Sequence, residues 1–367
     1  MGKSEIGSLI SKHEKVRDKG LNLIASENFL PEKAREALSS DLAGRYHSDY
    51  YGGTKTVRKI VERTEELAEE LFDVKHAFIK PVSGNICDLN VLFSFTDPGE
   101  EVAMLSFDNG GYPLGLGKFN RERIDLPAKK NSYEIDPKKM EKIYEGENPD
   151  LTILGASYIP FPHPVEEINN LIDSKKQPLV FDGSHVLGLI ATGEFQRPLK
   201  EGADILIGST HKSFYGPQGG LILTDDDGYA EKIRKYQDID LETGIGLIDN
   251  PHVNRIAALG ITLEEMLDDE GYGKKVVKNA KALASSLDDQ GVPMKFSEKG
   301  YTKSHQIFLD IDWETSEKFC HELEKEDIFI DISGRIGVAE VTHRGLDEED
   351  MELIAAEIAE VFDRFDR

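Results

Sequence analysis

The feature that most constrains this chain is an alternation in its middle, where short apolar runs are separated by charged stretches of helical period. The runs are His76–Lys80, Glu101–Phe107, Leu151–Ala156, Pro178–Asp182, Ala203–Gly208 and Gly220–Thr224. Short apolar runs bounded by turn residues read as strands buried on both faces, and amphipathic helices between them supply the cover. The expected fold is therefore α/β, with a mostly parallel sheet flanked by helices. No fixed-period repeat is visible, which argues against a solenoid.

Several runs end in small or polar residues: Ser83-Gly84-Asn85, Gly155-Ala156-Ser157, Asp182-Gly183-Ser184-His185 and Ser209-Thr210-His211-Lys212. Ligands of open α/β sheets bind outside the carboxyl ends of strands, so a site is expected there. Downstream, a Gly-containing loop over Gly244–Asn250 precedes a helical pattern from Pro251 to Glu270. Strands at Gln306–Ile311 and Ile328–Ile332, a helix at Thr315–Lys325 and a terminal amphipathic helix at Asp347–Phe365 then predict a smaller α+β domain. The expected organisation is an N-terminal arm over 1–40 with Pro31 near a helix start, a large domain over 41–250, a connecting helix over 251–275 and a C-terminal small domain over 276–367.

Composition narrows the partners. The net charge of −25, from 44 basic and 69 acidic residues, repels phosphate backbones and anionic lipid, so neither nucleic acid nor membrane is expected. Two cysteines, Cys87 and Cys320, are too few for a disulfide framework and suit a reducing compartment. No His, Cys or carboxylate spacing matches a metal motif, so no metal is expected. The opening residues carry no apolar core of a secretory signal, and Gly2 is only a weak lipidation cue because Ile6 stands where a small polar residue belongs. The expected location is the cytoplasm.

Individual residues each admit two readings. Lys212, at the end of an apolar run, is either a solvated loop lysine or an amine of lowered basicity able to form a Schiff base with a carbonyl. Asp182, thirty residues upstream, either caps a turn or pairs with a protonated pyridine nitrogen. Ser83-Gly84-Asn85 is either an ordinary helix cap or a phosphate seat at a helix N-terminus. Arg344 either pairs with the acidic stretch Asp347–Asp350 or grips a carboxylate with two hydrogen bonds. His185, His211, Tyr46, Tyr50, Tyr51 and Tyr112 are ring or hydroxyl donors, more often structural than catalytic. Occurring together, Asp182 and Lys212 shift the balance toward chemistry.

Taken together these residues resemble the serine hydroxymethyltransferase family, pyridoxal-phosphate enzymes of the aspartate-aminotransferase fold (type I). The matching segments run in family order: Leu23-Ile24-Ala25-Ser26-Glu27-Asn28-Phe29, Tyr50-Tyr51-Gly52-Gly53, Ser83-Gly84-Asn85, Asp182–Gly188, Ser209–Lys212, Gly216–Gly220, Pro251–Ala258 and Val341–Gly345. The resemblance implies that Lys212 holds pyridoxal 5'-phosphate as a Schiff base and that Asp182 pairs with its ring nitrogen. It implies phosphate binding by Ser83, Gly84 and Asn85 with Ser209 and His211 close by, Ser157 at the ring oxygen, and His185 over or beside the ring. Arg344 would grip the substrate carboxylate, and Ser26, Tyr46 and Tyr51 would complete the amino-acid site, the tyrosines reaching across a homodimer interface.

The chain resembles a shortened, divergent member of that family. Between Tyr46 and Tyr51 the family carries a longer segment with a glutamate where Ser48 stands, so Asp49 becomes a candidate substitute. Asn109 occupies the place of a ring-stacking histidine, with Tyr112 nearby to replace it. Gln218 replaces an arginine, and an Asn- and Pro-rich loop before Ser333-Gly334-Arg335 is missing. These departures fall on the side that handles tetrahydrofolate. The implied activity is cleavage or formation of the Cα–Cβ bond of β-hydroxy amino acids, serine–glycine interconversion within one-carbon and amino-acid metabolism. A folate-independent threonine-type aldolase or transaldolase, a more distant aminotransferase, and a pyridoxal-phosphate-binding protein without turnover are the alternatives.

Overall fold

A computed structural model describes residues 4–130, 132–146, 149–172, 177–239, 242–269 and 271–365; Gly2 and Glu270 lie outside them. The described chain falls into two compact units, Leu30–Gly273 and the combination of Met1–Phe29 with Lys274–Arg367. The strands, in chain order, are β1 (Leu21–Asn22), β2 (His76–Phe78), β3 (Glu101–Met104), β4 (Glu122–Asp125), β5 (Leu151–Gly155), β6 (Leu179–Asp182), β7 (Ile205–Ser209), β8 (Gly220–Thr224), β9 (Gln306–Phe308), β10 (Ile328–Phe329) and β11 (Arg335–Gly337).

The unit Leu30–Gly273 is built on a seven-stranded sheet in the order β2-β8-β7-β6-β5-β3-β4. The pairs β3–β4, β3–β5, β5–β6 and β6–β7 are parallel, and β8 runs antiparallel to both its neighbours. This is the expected mostly parallel, helix-flanked α/β architecture. Strands β6, β7 and β8 are buried along their whole length, as continuous Val, Ile and Leu runs require when both faces are covered. One core cluster joins Val102, Leu151, Ile153, Val180, Ile205, Ile207 and Ile222 of the sheet to Cys87, Leu89, Val91 and Leu92 of the helix Gly84–Phe95. That helix is apolar around most of its circumference because it is buried on most of it.

Strand β4, unforeseen in the sequence, is one of the two sheet edges, and its Glu-Arg-Ile-Asp sequence carries charge where a neighbour would otherwise pair. The other expected strands are present: β8 has the expected bounds, β7 starts later and ends one residue later at Ser209, and the rest are shorter than expected. The pattern from Pro251 resolves as the helix Val253–Asp268.

In the other unit β1 pairs parallel with β10 through Leu21–Ile328 and Asn22–Phe329, and β9 pairs antiparallel with β11. The helices Trp313–Lys325 and Glu348–Phe365 meet through Phe319, whose ring is 5.2 Å from Phe362 and 5.6 Å from Phe365. A short helix, Ala339–His343, precedes Arg344. Each unit holds one buried free thiol, Cys87 or Cys320. Among the described residues no helix is long and apolar enough to cross a membrane, and no group of three His, Cys, Asp or Glu side chains is arranged to hold a metal ion.

Candidate active site

The three neighbouring parallel strands β5, β6 and β7 end at Gly155, Asp182 and Ser209, bringing their carboxyl ends to one side of the sheet. Gly155 lies opposite Asp182 in the register, with φ at +96°. A Cβ there would fall 2.0 Å from the Asp182 carbonyl oxygen, so both backbone conformation and space demand glycine. The next turn is fixed by His163, whose Nδ1 accepts the Gly155 N–H at 3.1 Å. Burial pulls the His163 imidazole down to about 4, which keeps that nitrogen free to accept.

Asp182 closes β6, and its Oδ1 accepts the Ser184 N–H at 2.9 Å. Lys212 sits three residues past β7 in a loop closed on itself: Thr210 N–H donates to Gly219 O at 3.1 Å, Gly216 N–H to Thr210 O at 2.7 Å and Thr210 Oγ1 to Pro217 O at 2.6 Å. Lys212 Nζ lies 3.3 Å from His185 Nε2. His211 beside it is pulled down to about 4, first by burial and then by the Lys212 charge, and its Nδ1 has no hydrogen-bond partner.

The loop after β2 leads to Ser83, which caps the helix Gly84–Phe95 by accepting the Ile86 N–H at 3.3 Å. Gly84 is tightly enclosed: a Cβ there would be 2.3 Å from Ser209 Oγ and 3.1 Å from Ser184 Oγ. Ser209 N–H and Oγ both reach Ser184 Oγ, at 3.1 and 3.2 Å. Hydroxyls and the start of a helix thus converge into a seat for an anion. Behind it the buried Arg255 donates through Nη2 to Ile79 O at 2.7 Å and Lys80 O at 3.1 Å, holding the approach to Ser83.

These elements enclose a cavity of about 180 Å³. Of the expected site residues it brings together Ser83, Gly84, Asn85, Tyr112, Ser157, Asp182, His185, Ser209, His211 and Lys212. Tyr112 donates its hydroxyl hydrogen to Asn85 Oδ1 at 3.1 Å, whereas Asn109 is outside the lining and donates from Nδ2 to Ser106 Oγ at 2.8 Å. Asp88, Ala156 and Ser184 also line the cavity. Asp88 went unread in the sequence because nothing in the letters tells an inward-facing helical aspartate from an outward one. Arg255 was missed for the same reason.

Tyr46 and Tyr51 are outside the cavity lining; each is 45% exposed, their rings 4.7 Å apart, with Tyr50 beside them 89% exposed. Asp49 forms an ion pair with Arg58. Gln218 is exposed. Ser26 and Arg344 belong to the other unit. There Arg344 Nε donates to Glu340 Oε1 at 2.9 Å, and its guanidinium carbon lies 4.3 Å from the centre of the Phe29 ring. Glu340, and not the acidic stretch Asp347–Asp350, is its carboxylate; Glu340 is itself buried and accepts from Asn22 Nδ2.

Residues 1–358 match the family model for serine hydroxymethyltransferase. The chain is 35% identical to a serine hydroxymethyltransferase of Methanobrevibacter smithii, covering 97% of this chain and 89% of that one. It is 37% identical to one of Methanocaldococcus jannaschii, covering 94% and 86%. In structure it is similar to the L-threonine transaldolase of Pseudomonas fluorescens in its internal aldimine state, with a TM-score of 0.89 and 26% identity over 98% of this chain and 87% of that one. The chain belongs to the serine hydroxymethyltransferase family, and is an enzyme of the pyridoxal-phosphate-dependent transferase and aldolase type that acts on the Cα–Cβ bond of β-hydroxy amino acids.

Proposed function

We propose that this enzyme interconverts serine and glycine, with pyridoxal 5'-phosphate held in the 180 Å³ cavity. The observation that carries the reading is that Lys212, Asp182 and the Ser83–Asn85 helix start line one cavity. The donor set fits the group: an amine, a carboxylate at a strand end, and an anion seat that a Cβ on Gly84 would fill. When bound, pyridoxal phosphate supplies the electron sink that lets the Cα–Cβ bond break.

The chain's own residues supply orientation and charge. Lys212 would carry the cofactor through its amine, with the His185 imidazole within reach of the same nitrogen. Asp182, anchored by the Ser184 N–H, would hold the proton of the ring nitrogen. Ser83, Gly84, Asn85, Ser209 and His211 would take the phosphate, Ser157 the ring oxygen, and His185 and Tyr112 the ring. Arg344 would take the substrate carboxylate. We assign Ser26, Tyr46 and Tyr51 to the amino-acid site of a homodimer, a reading supported by the exposure of both tyrosines.

A second reading has its own support. Asp49 is engaged by Arg58, so it is no ready substitute for the glutamate missing at Ser48. That favours a folate-independent transaldolase or aldolase on threonine-like substrates. An absorbance titration of the cofactor-loaded enzyme with glycine, then tetrahydrofolate in the same cuvette, separates the two. A glycine-dependent band that grows strongly with folate supports hydroxymethyl transfer. A glycine response indifferent to folate, with turnover of threonine and an acceptor aldehyde, supports the second reading.

A further inference from the structure

Asp88 lines the cofactor cavity, and the roles assigned above leave it none. It stands on the helix Gly84–Phe95, five residues past the cap Ser83. Its exposure is 3%, against 8% for Asp182. Among the described residues no hydrogen-bond donor reaches its carboxyl, whereas Asp182 accepts a backbone N–H. Two largely buried carboxyls lining one cavity are costly to ionise together, and the proton stays on the one that is deeper and less well hydrogen-bonded.

We propose that Asp88 is a neutral carboxylic acid whose O–H is donated into the cofactor cavity, leaving Asp182 as the single carboxylate offered to the ring nitrogen. The proposal rests on the reading of this cavity as the pyridoxal phosphate site. Burial first and the Asp182 charge second raise the Asp88 carboxyl well above its ordinary range, against the opposing pull of the Lys212 amine. The Cys87 thiol and the Tyr112 hydroxyl, both pushed up mainly by burial, stay protonated and add no charge beside it, and His211 is neutral. A second carboxylate here would oppose an incoming phosphate dianion. Asp88 is thus a positioning residue that sets the charge the ring nitrogen meets.

The test compares wild type with Asp88→Asn and Asp88→Leu, with and without pyridoxal phosphate. Infrared spectra of wild type at neutral pH are expected to contain a protonated-carboxyl C=O band that Asp88→Asn removes. Because asparagine keeps a neutral donor, its cofactor dissociation constant and the pH titration of the bound cofactor's absorbance should stay within about threefold of wild type. Asp88→Leu, with its fold checked by circular dichroism, should weaken cofactor binding about tenfold, the equivalent of one lost hydrogen bond. In a protein that binds the cofactor, a missing band, or an Asp88→Asn titration displaced by about tenfold in proton concentration, overturns the assignment of Asp88. Failure of wild type to take up pyridoxal phosphate overturns instead the reading of the cavity.

Discussion

An amine 3.3 Å from an imidazole nitrogen, in a loop tied down by three hydrogen bonds from and to Thr210, is positioned rather than merely present. Lys212→Ala should therefore lower turnover by about 10²–10⁴-fold and abolish cofactor retention through gel filtration, with thermal stability close to wild type because the loop hydrogen bonds belong to other residues. Unchanged retention would remove Lys212 from its role. Arg344 offers a contrasting case. Its Nε is engaged by Glu340 while its side chain remains 36% exposed, an arrangement that steers the guanidinium and leaves part of it to a second carboxylate. Arg344→Lys loses the planar fork, so kcat/KM for the amino acid should fall about 10–100-fold while the cofactor dissociation constant holds. Steady-state kinetics and a cofactor titration on the same preparation separate the two effects.

At the level of single elements, the end of β5 is the most demanding piece of backbone in the site. Gly155→Ala adds a Cβ 2.0 Å from the Asp182 carbonyl at a φ of +96°, and should cost about 1–3 kcal/mol or more in denaturant unfolding and weaken cofactor binding by displacing Asp182. The His163 that holds this turn makes stability depend on pH. Folded, it titrates at about 4; unfolded, near 6.5, so between those values the unfolded chain binds more protons. Its contribution is complete above about pH 6.5 and lost as pH falls toward 4, at most about 3 kcal/mol. Urea titrations at pH 5 and 7 should show the loss, and His163→Gln should flatten it.

What the letters disclosed followed the same physics. Strand β6 is announced by its apolar run Leu179-Val180-Phe181 and its terminal Asp182, the pattern of a strand buried on both faces that ends at a site. Strand β4 stayed hidden because an edge strand is charged for protection, and Glu122-Arg123-Ile124-Asp125 reads like a loop. The pairing of Leu21 with Ile328 joins residues far apart in sequence, and no local pattern carries that information. In the site, the residues at strand ends were legible by position. Asp88 and Arg255 were not, since their significance lies in what surrounds them.

For the whole molecule, a net charge of −25 must be reconciled with an anionic cofactor. Long-range repulsion slows the cofactor's arrival, and salt screens it, shrinking the reach of the field from about 30 Å at 0.01 M to about 8 Å at 0.15 M. The rate of cofactor uptake by the apoenzyme should therefore rise with ionic strength over that range. A fall, measured by stopped-flow absorbance, would mean that the field at the cavity mouth is locally positive despite the total.

The two buried thiols give the molecule a pair of internal clocks. Burial raises both Cys87 and Cys320 above the ordinary thiol range, so neither reacts readily with an alkylating reagent while its surroundings are closed. One sits in the unit Leu30–Gly273 and the other in its counterpart, so the two labelling rates, resolved by peptide mass spectrometry, time the opening of each unit separately on a single unmodified protein. Cofactor that slows labelling at Cys87 and leaves Cys320 unchanged would locate its stabilising effect in one half of the chain without any added probe.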